Sequence, residues 1–464
     1  MSINKLSSKE LIIRGKWILT MSDQGDIKDG AIHILKGKIK NVSSYSDLKQ
    51  KLPDLEIVGD GTGIVIPGLI NAHTHFSEAF IPGMGSEMTL FEWLREIVTP
   101  VCNNLNREIA REGTILKVIE MLHSGVTYVN DMFVHSNPND MASLGVVEGL
   151  NHVGIRGCVS YGPEDCPEGV TSINSLKVDK ILDEHKELES IVSENNFIDF
   201  RLGIGTLLGQ TDKLTKESIK LCKKKGWKIH THMLEAREEI VHSVLRWGCR
   251  PLQHAQNIGL LDLDVIAAHM IWTNESDFTM LKKHNVSVVH NPIANMILGS
   301  GVCPVQRLRK ENVNIGIGTD GTASNDSQNM IESLKLTPML QKIHHLDPSV
   351  MSAVDALKMA TIEGAKALGI SDIVGSIESG KRADIALFSS TVELATINDP
   401  YQQLVFGTSP RSVSDVWVEG VRLICCGKTT TVDETEQVLK TKYISHKLVK
   451  DSGLIKKGYS EMFI

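Results

Sequence analysis

Residues 64–75 read Ile64-Val65-Ile66-Pro67-Gly68-Leu69-Ile70-Asn71-Ala72-His73-Thr74-His75, an apolar run that closes on two histidines. A short apolar run bounded by turn signals suits a strand buried on both faces. Residues two apart on a strand project to the same face, so both imidazoles can reach one ion. Taken alone, an H-x-H pair leaves metal ligands and exposed loop histidines equally open, and the rest of the chain has to decide.

Outward from this stretch the pattern repeats as strand then helix. Eight strand candidates end at His75, at Asp131, near Tyr161, near Thr206, at His232, at His269, at His290 and at Asp320. Runs such as Val286-Ser287-Val288-Val289 and Val313-Asn314-Ile315-Gly316-Ile317 suit fully buried strands, and Arg107 to Leu122 and Thr215 to Lys225 read as helices between them. Eight such units predict an α/β fold, a (β/α)8 TIM barrel over residues 68–374. Before it, Leu11-Ile12-Ile13, Ile18-Leu19, Ala31 to Ile34 and Lys38 to Val42 alternate with Gly15, Gly30 and Gly37. After it, Asp384 to Phe388 and Val416-Trp417-Val418 repeat that pattern. Both termini, residues 1–67 and 375–435, are therefore expected to build one small β-sandwich, with 436–464 as a C-terminal helical tail.

The metal-capable residues fall where a barrel does its chemistry, at the C-terminal ends of strands. His73 and His75 end the first, His232 the fifth, His269 the sixth, His290 the seventh and Asp320 the eighth. Neutral imidazoles with a carboxylate suit Zn2+, and also Fe2+ or Ni2+. His230 shares a strand face with His232 and competes with it as a ligand, or else supports one from behind. Glu235 lies three residues past His232, within reach of a water at the centre, although its place in the run Glu235-Ala236-Arg237-Glu238-Glu239 also fits a solvated charge. Asp320 ends Ile315-Gly316-Ile317-Gly318-Thr319, where a buried carboxylate is costly unless paired or ligating.

Composition excludes several other classes. The chain has 464 residues, 41% of them hydrophobic, and a formal net charge of −7, with no clustered basic face for nucleic acid or anionic membrane. Met1 to Lys16 lacks the apolar core of a signal peptide, and no stretch approaches the ~18 apolar residues of a membrane span. Eight cysteines lie scattered without a C-x-x-C pair, which reads as reduced thiols in a cytoplasmic protein.

Together, His73-Thr74-His75, His232-Met233-Leu234-Glu235, Ala267-Ala268-His269, His290-Asn291-Pro292, Gly318-Thr319-Asp320 and the late stretch Gly375 to Asp384 resemble the amidohydrolase superfamily, in its aminohydrolase and s-triazine hydrolase branch. The resemblance spans nearly the whole chain. It implies one divalent metal, Zn2+ first and Fe2+ as the alternative, held by His73, His75, His232 and Asp320. It implies Glu235 as proton shuttle, His269 as the group that polarises a ring nitrogen or orients the nucleophile, and Asp320 as acceptor of the water's proton. The fourth strand, Arg201 to Thr206, has no lysine to bridge two ions, so the site is expected to be mononuclear.

The implied reaction replaces an amino group on a small heterocyclic substrate (triazine, pyrimidine, pterin or purine) by water. The alternatives are a chlorohydrolase of the same fold, a deaminase of adenosine derivatives, and a catalytically inactive structural relative. Small zinc deaminases are excluded, because H-x-E with P-C-x-x-C is absent. Adenosine-derivative deaminases resemble Gly-x-Gly-Pro-His after the fourth strand, where this chain has Gly203-Ile204-Gly205-Thr206-Leu207. Their sugar-binding glutamate falls near Cys102 and an arginine near Tyr161, departures that argue against an adenosyl substrate. Leu298 to Val302 and Ser324 to Met330 instead lean toward the triazine branch. Candidate substrate contacts are Trp93, Tyr161, Leu207, Ser324 and Asn325, with Leu208 and Met84 completing a flat apolar pocket; Ser324 and Asn325 could equally cap the next helix. A homo-oligomer is expected from the resemblance.

Overall fold

The structure is a computed structural model, and it describes residues 9–85, 87–137, 140–166, 177–389 and 391–455. The amino-terminal strands are β1 (Leu11–Ile18), β2 (Ile27–Leu35), β3 (Lys38–Ser44), β4 (Ile57–Val58) and β5 (Ile64–Pro67). They are followed by β6 (Leu69–His75), β7 (Val126–Phe133), β8 (Arg156–Tyr161), β9 (Ile198–Phe200) and β10 (Leu202–Ile204). Next come β11 (Ile229–Met233), β12 (Val265–His269), β13 (Ser287–His290), β14 (Ile315–Ile317) and β15 (Asp320–Gly321). The last are β16 (Ile385–Phe388), β17 (Val413–Val418), β18 (Val421–Cys425) and β19 (Lys428–Thr429).

Strands β6 to β15 form two parallel arcs, β15-β6-β7-β8-β9 and β10-β11-β12-β13-β14. The arcs meet where two barrel strands are interrupted, at Arg201 between β9 and β10 and at Gly318-Thr319 between β14 and β15, so the ten segments make the eight staves of a TIM barrel. Arg201 is buried at the first break, and its guanidinium donates to Ile229 O, Ala367 O and Leu368 O at 3.2–3.3 Å and meets Asp264 at 3.0 Å. The lower barrel is packed by Ile70, Ala72, Tyr128, Cys158, Ile266 and Val289 against residues 365–374, which close that end. Polar residues are left for the opposite end.

The expected terminal sandwich takes the form of one continuous sheet of both termini, ordered β19-β18-β17-β16-β5-β1-β2-β3 with β4 on β1. The sheet curls on itself, so that Ile13, Ile34, Ile385 and Trp417 share one small core. The two hairpin tips meet there: a Cβ on Gly37 would sit 2.7 Å from Glu419 O, and its φ of +75° is one that glycine tolerates. The pairing of β16 with β5 joins the two terminal segments into the single sheet, and it removes the unpaired edges that two separate sheets would leave in the middle of the module.

Helix Glu434–Asp451 of the C-terminal segment packs beside helix Arg107–His123, with Gln437 Nε2 donating to Glu112 O at 3.2 Å and Lys440 paired to the buried Glu112 carboxylate at 2.7 Å. No helix among the described residues is long and apolar enough to cross a membrane.

Candidate active site

Backbone irregularities at the strand ends bring the polar residues inward. Along β6 the pairing with β7 shifts between Asn71 and Thr74. Below this irregularity Ile70 and Ala72 face the barrel interior, and above it His73 and His75 do, since a one-residue bulge reverses the alternation of side chains. On β12, Ile266 and Ala268 pair with His230 and His232. His269 gains the interior through a φ of +76°, and Asp320 takes its position with φ +65°. Left-handed backbone at two non-glycine residues costs on the order of 1–3 kcal/mol each and persists only where surrounding contacts impose it. Here Gln328 Nε2 donates to Asp320 O at 2.8 Å, and a Cβ on Gly318 would meet Asn291 Oδ1 at 2.4 Å.

Hydrogen bonds determine which ring nitrogens carry protons. His75 Nδ1 lies 2.6 Å from Met132 O and His232 Nδ1 lies 2.7 Å from Gly205 O; carbonyls only accept, so both Nδ1 atoms donate. A longer relay governs His73. Ser160 Oγ donates its one proton to Asp131 O at 2.7 Å and therefore accepts from His230 Nδ1 at 3.0 Å. His230 Nε2 is then a lone pair, which accepts from His73 Nδ1 at 2.8 Å. His230 thus stands behind a ligand and orients it, the second of the two roles open from sequence.

The consequence is three Nε2 lone pairs aimed at one another and at an anion. His75 Nε2 and His232 Nε2 are 2.9 Å apart, while Asp320 Oδ1 is 3.2 Å from His73 Nε2 and 3.3 Å from His75 Nε2. Buried His73 Nε2 finds no hydrogen-bond partner. Convergent acceptors without a donor repel unless a cation sits among them, and N,N,N,O donors fit a divalent ion. The ligand atoms of His73, His232, His269 and Asp320 all lie within 4.8 Å of one another, and His75 joins them through His232 and Asp320.

The electrostatics agree with that demand for positive charge. Burial, offset in part by Asp320, pushes His73 down to about 4. Burial and the neighbouring histidines hold His232 well below the usual imidazole range, so both stay neutral. Burial opposes charging His75 too, but Asp320 and Glu78 more than reverse this and raise it to about 10, so without an ion His75 itself takes up the positive charge, and a metal bound by three lone pairs would displace that proton. Asp320 is held well below the usual carboxylate range, the imidazole contacts outweighing its burial.

Glu235 is buried rather than solvated, 6% exposed. Neighbouring Glu239 is also buried, and its carboxylate accepts from the backbone N–H groups of Leu234, Glu235 and Ala236 at 2.7–3.0 Å, clamping the turn that presents Glu235. Burial, together with the Asp320 and Glu239 charges, raises Glu235 well above the usual carboxylate range. His269 Nδ1 donates to Asn295 Oδ1 at 3.0 Å, which leaves its Nε2 3.4 Å from Glu235 Oε2 and 3.6 Å from Asp320 Oδ2.

A pocket opens over this centre. Trp93 and Ser324 line it, beside Leu90, Phe91, Leu94 and Val98. The other three candidate contacts lie elsewhere. Leu207 packs into the core and Leu208 takes the place beside the pocket, one residue along the same loop. Tyr161 is turned away, stacked on His135 at 4.6 Å and donating to His135 O at 3.3 Å. Asn325 Nδ2 donates to Thr319 O at 2.5 Å, so it holds the loop after β15. His290 is buried outside the metal-capable cluster with neither ring nitrogen partnered. Sequence reasoning did not single out Glu78, Glu164 and Glu239, all of which line the pocket. A glutamate three residues past a strand end, at Glu78 after His75 and at Glu164 after Tyr161, was the only available signal and a weak one, and Glu239 lies farther from its strand.

Residues 64–423 match the Amidohydrolase family model, and the chain belongs to that family. It is 30% identical to a 5-methylthioadenosine/S-adenosylhomocysteine deaminase from Thermodesulfovibrio yellowstonii, over 93% of this chain and 97% of that one. Its fold superposes with a TM-score of 0.87 on a zinc-bound adenosine deaminase from Xanthomonas campestris, 27% identical and covering 95% of this chain and 99% of that one. Atrazine chlorohydrolase from Arthrobacter aurescens, at 22% identity over 94% of this chain and 100% of that one, shares the fold with a TM-score of 0.85.

Proposed function

We propose that this amidohydrolase removes the amino group of an adenosine-type nucleoside by hydrolysis, with one Zn2+ held by His73, His75, His232 and Asp320. The observation that carries the reading is the convergence of three imidazole lone pairs and Asp320 beside a buried Glu235. The similarity to a methylthioadenosine deaminase favours a purine nucleoside over the triazine ring to which two loops lean, since at 22% the likeness to the chlorohydrolase speaks to the fold alone.

The bound ion supplies Lewis acidity that makes water nucleophilic near neutral pH. The chain's own groups divide the remaining work. The water oxygen adds to the carbon bearing the amino group, and Asp320, ionised and with Oδ2 3.6 Å from His269 Nε2, accepts the water's proton. Glu235 donates its proton to the adjacent ring nitrogen, which must lose aromaticity as the carbon becomes tetrahedral. His269 Nε2, between the two carboxyls, keeps the reacting edge in register. The amino group takes the proton held by Asp320 and leaves as ammonia, the adduct's hydroxyl proton returns to Glu235, and the ring keeps the oxygen as a carbonyl.

The described pocket residues include no lysine or arginine, whereas Glu78, Glu164, Glu235, Glu239 and Asp320 all line it. Such a lining repels phosphate, so nucleosides are expected to react and nucleoside monophosphates are not. The test is ammonia release from adenosine, 5′-deoxyadenosine and AMP by protein of measured metal content. About one metal per chain with ammonia from the nucleosides supports the reading. Ammonia from none of them, or none but AMP, overturns it.

A further inference from the structure

Among the described residues, metal-capable side chains converge in one place besides the catalytic centre. Asp415, Cys425 and Cys426 each bring a ligand atom within 4.8 Å of the others. All three lie on β17 or on the β18-β19 hairpin, in the terminal sheet rather than the barrel, and the deamination steps above use none of them.

The strand register creates the cluster. Val416 pairs with Ile424, so Asp415 stands opposite Cys425 one step further along the two antiparallel strands. Cys425 in turn pairs with Lys428, which leaves Cys426 and Gly427 as a two-residue turn. Their φ values of +52° and +74° are those of a hairpin turn that favours Asn, Asp or Gly at its first position, so turn formation alone does not call for a cysteine. Gly427 N–H donates to Ser414 O at 2.8 Å and Cys426 N–H to Asp415 Oδ1 at 3.2 Å, which fastens the turn beside the carboxylate. The two thiols are in hydrogen-bond contact, Cys425 partly buried and Cys426 exposed.

Charge selects what such a cluster would take. Asp415 is buried, and Arg422 Nε donates to its Oδ1 at 2.7 Å while Nη2 reaches the same oxygen. The hydrogen bonds to this carboxylate gather on Oδ1 and leave Oδ2 for a ligand. With both thiols deprotonated the three groups carry three negative charges, Arg422 cancels one, and a divalent cation cancels the other two. Thiolates favour Zn2+ and its heavier congener Cd2+ over Mg2+ or Ca2+, which prefer oxygen. Burial and the Cys426 thiol hold Cys425 above the usual thiol range despite Arg422, so its proton stays on near neutral pH until a cation displaces it.

The geometry points to a second metal site, formed by Asp415, Cys425 and Cys426, that binds a thiophilic divalent cation of the Zn2+ class. Three protein ligands at an exposed turn leave this site open to solvent on one side, whereas the catalytic centre is buried. A mild chelator should therefore empty the hairpin site first and leave the centre loaded.

The test titrates Cd2+ into the Zn2+-loaded, phosphine-reduced full chain after loose metal has been removed. Ultraviolet thiolate-to-Cd2+ charge transfer reports this site alone, because the catalytic centre offers imidazole and carboxylate ligands and no sulfur. The wild type should develop that band to saturation at one equivalent, releasing a proton from each thiol. Cys425→Ser and Cys426→Ser should each abolish the band with deamination unchanged. Asp415→Asn should weaken Cd2+ binding by at least the ~10–100-fold that losing a supporting contact to a metal ligand costs. Since Asp415 also pairs with Arg422, the exposed Cys426→Ser decides the matter if Asp415→Asn fails to fold. No band in the wild type, or a band that survives in either serine variant, would overturn the site. Undiminished affinity in a folded Asp415→Asn would remove the carboxylate from it and overturn the three-ligand assignment.

Discussion

Two clusters of buried histidines lie on the same side of the barrel, and they are wired in opposite ways. At the catalytic centre, His73, His75 and His232 spend their donors on carbonyls and on His230, so their free lone pairs converge on Asp320. In the second cluster, behind β8, donors meet an acceptor at Glu184. Asn137 N–H donates to His135 Nδ1 at 3.2 Å, so His135 Nε2 carries the proton it gives to Glu184 at 2.8 Å. Ser143 Oγ donates to the same carboxylate oxygen at 2.6 Å. Residue types and burial are alike in both. What separates a metal centre from a structural network is whether several unsatisfied lone pairs converge on one point after all hydrogen bonds are counted.

The largest expected effects sharpen that contrast. Chelation should remove activity and one metal per chain, with Zn2+ restoring both, while the second cluster leaves no trace in metal analysis. Glu235→Gln should lower kcat/KM by roughly 10²–10⁴-fold with metal content unchanged, measured on whichever nucleoside the wild type deaminates. Loss of metal in that variant would mean that Glu235 supports the centre rather than the proton transfer.

His135→Ala should act on stability instead. Leaving the buried Glu184 without its imidazole partner, held by Ser143 alone, costs about 1–3 kcal/mol, read from denaturant unfolding, with metal stoichiometry untouched. A loss of metal there would break the comparison.

His185 supplies a pH test within the same cluster. It is fully buried, neither ring nitrogen has a partner, and burial lowers it to about 4. Below its unfolded value of 6.5 the unfolded chain takes up a proton that the folded chain refuses. Stability is therefore complete above pH 6.5 and falls by roughly 3 kcal/mol as pH drops toward 4. His185→Leu should flatten that limb of the stability profile; an unchanged slope would assign the acid sensitivity elsewhere.

The smallest effect separates the two kinds of wiring most finely. His230→Asn should weaken metal affinity by about 10–100-fold by removing the acceptor that fixes the His73 tautomer. Ser160→Ala should move affinity in the same direction by less, since it frees His230 Nδ1 without removing the ring. Unaltered affinity in both would show that the relay does not orient His73.

Much of the fold and the centre was legible beforehand, for a physical reason. Strands buried on both faces leave long apolar runs, and a barrel concentrates its chemistry at their ends, so His73, His75, His232, His269 and Asp320 stand out against their apolar flanks. The pocket was less legible because its lining comes from loops, where no periodicity says which way a side chain points. Leu207 and Leu208 are adjacent in one loop and only Leu208 reaches the pocket. Tyr161 ends its strand yet packs outward against His135. The single curled sheet was also hidden, since strand patterns show which faces are buried and not which edges pair.

The residues alone thus determined the barrel, the terminal β module and the identity of the metal-capable side chains, because hydrophobic period and residue chemistry are local properties. Only the tertiary structure decided how those side chains are aimed. The irregularity at Ala72-His73 and the left-handed backbone of His269 and Asp320 each overrule simple strand alternation. The hydrogen bonds that set every imidazole tautomer join residues as far apart in sequence as His73 and His230. Such features arise from contacts between distant segments, which no local pattern encodes.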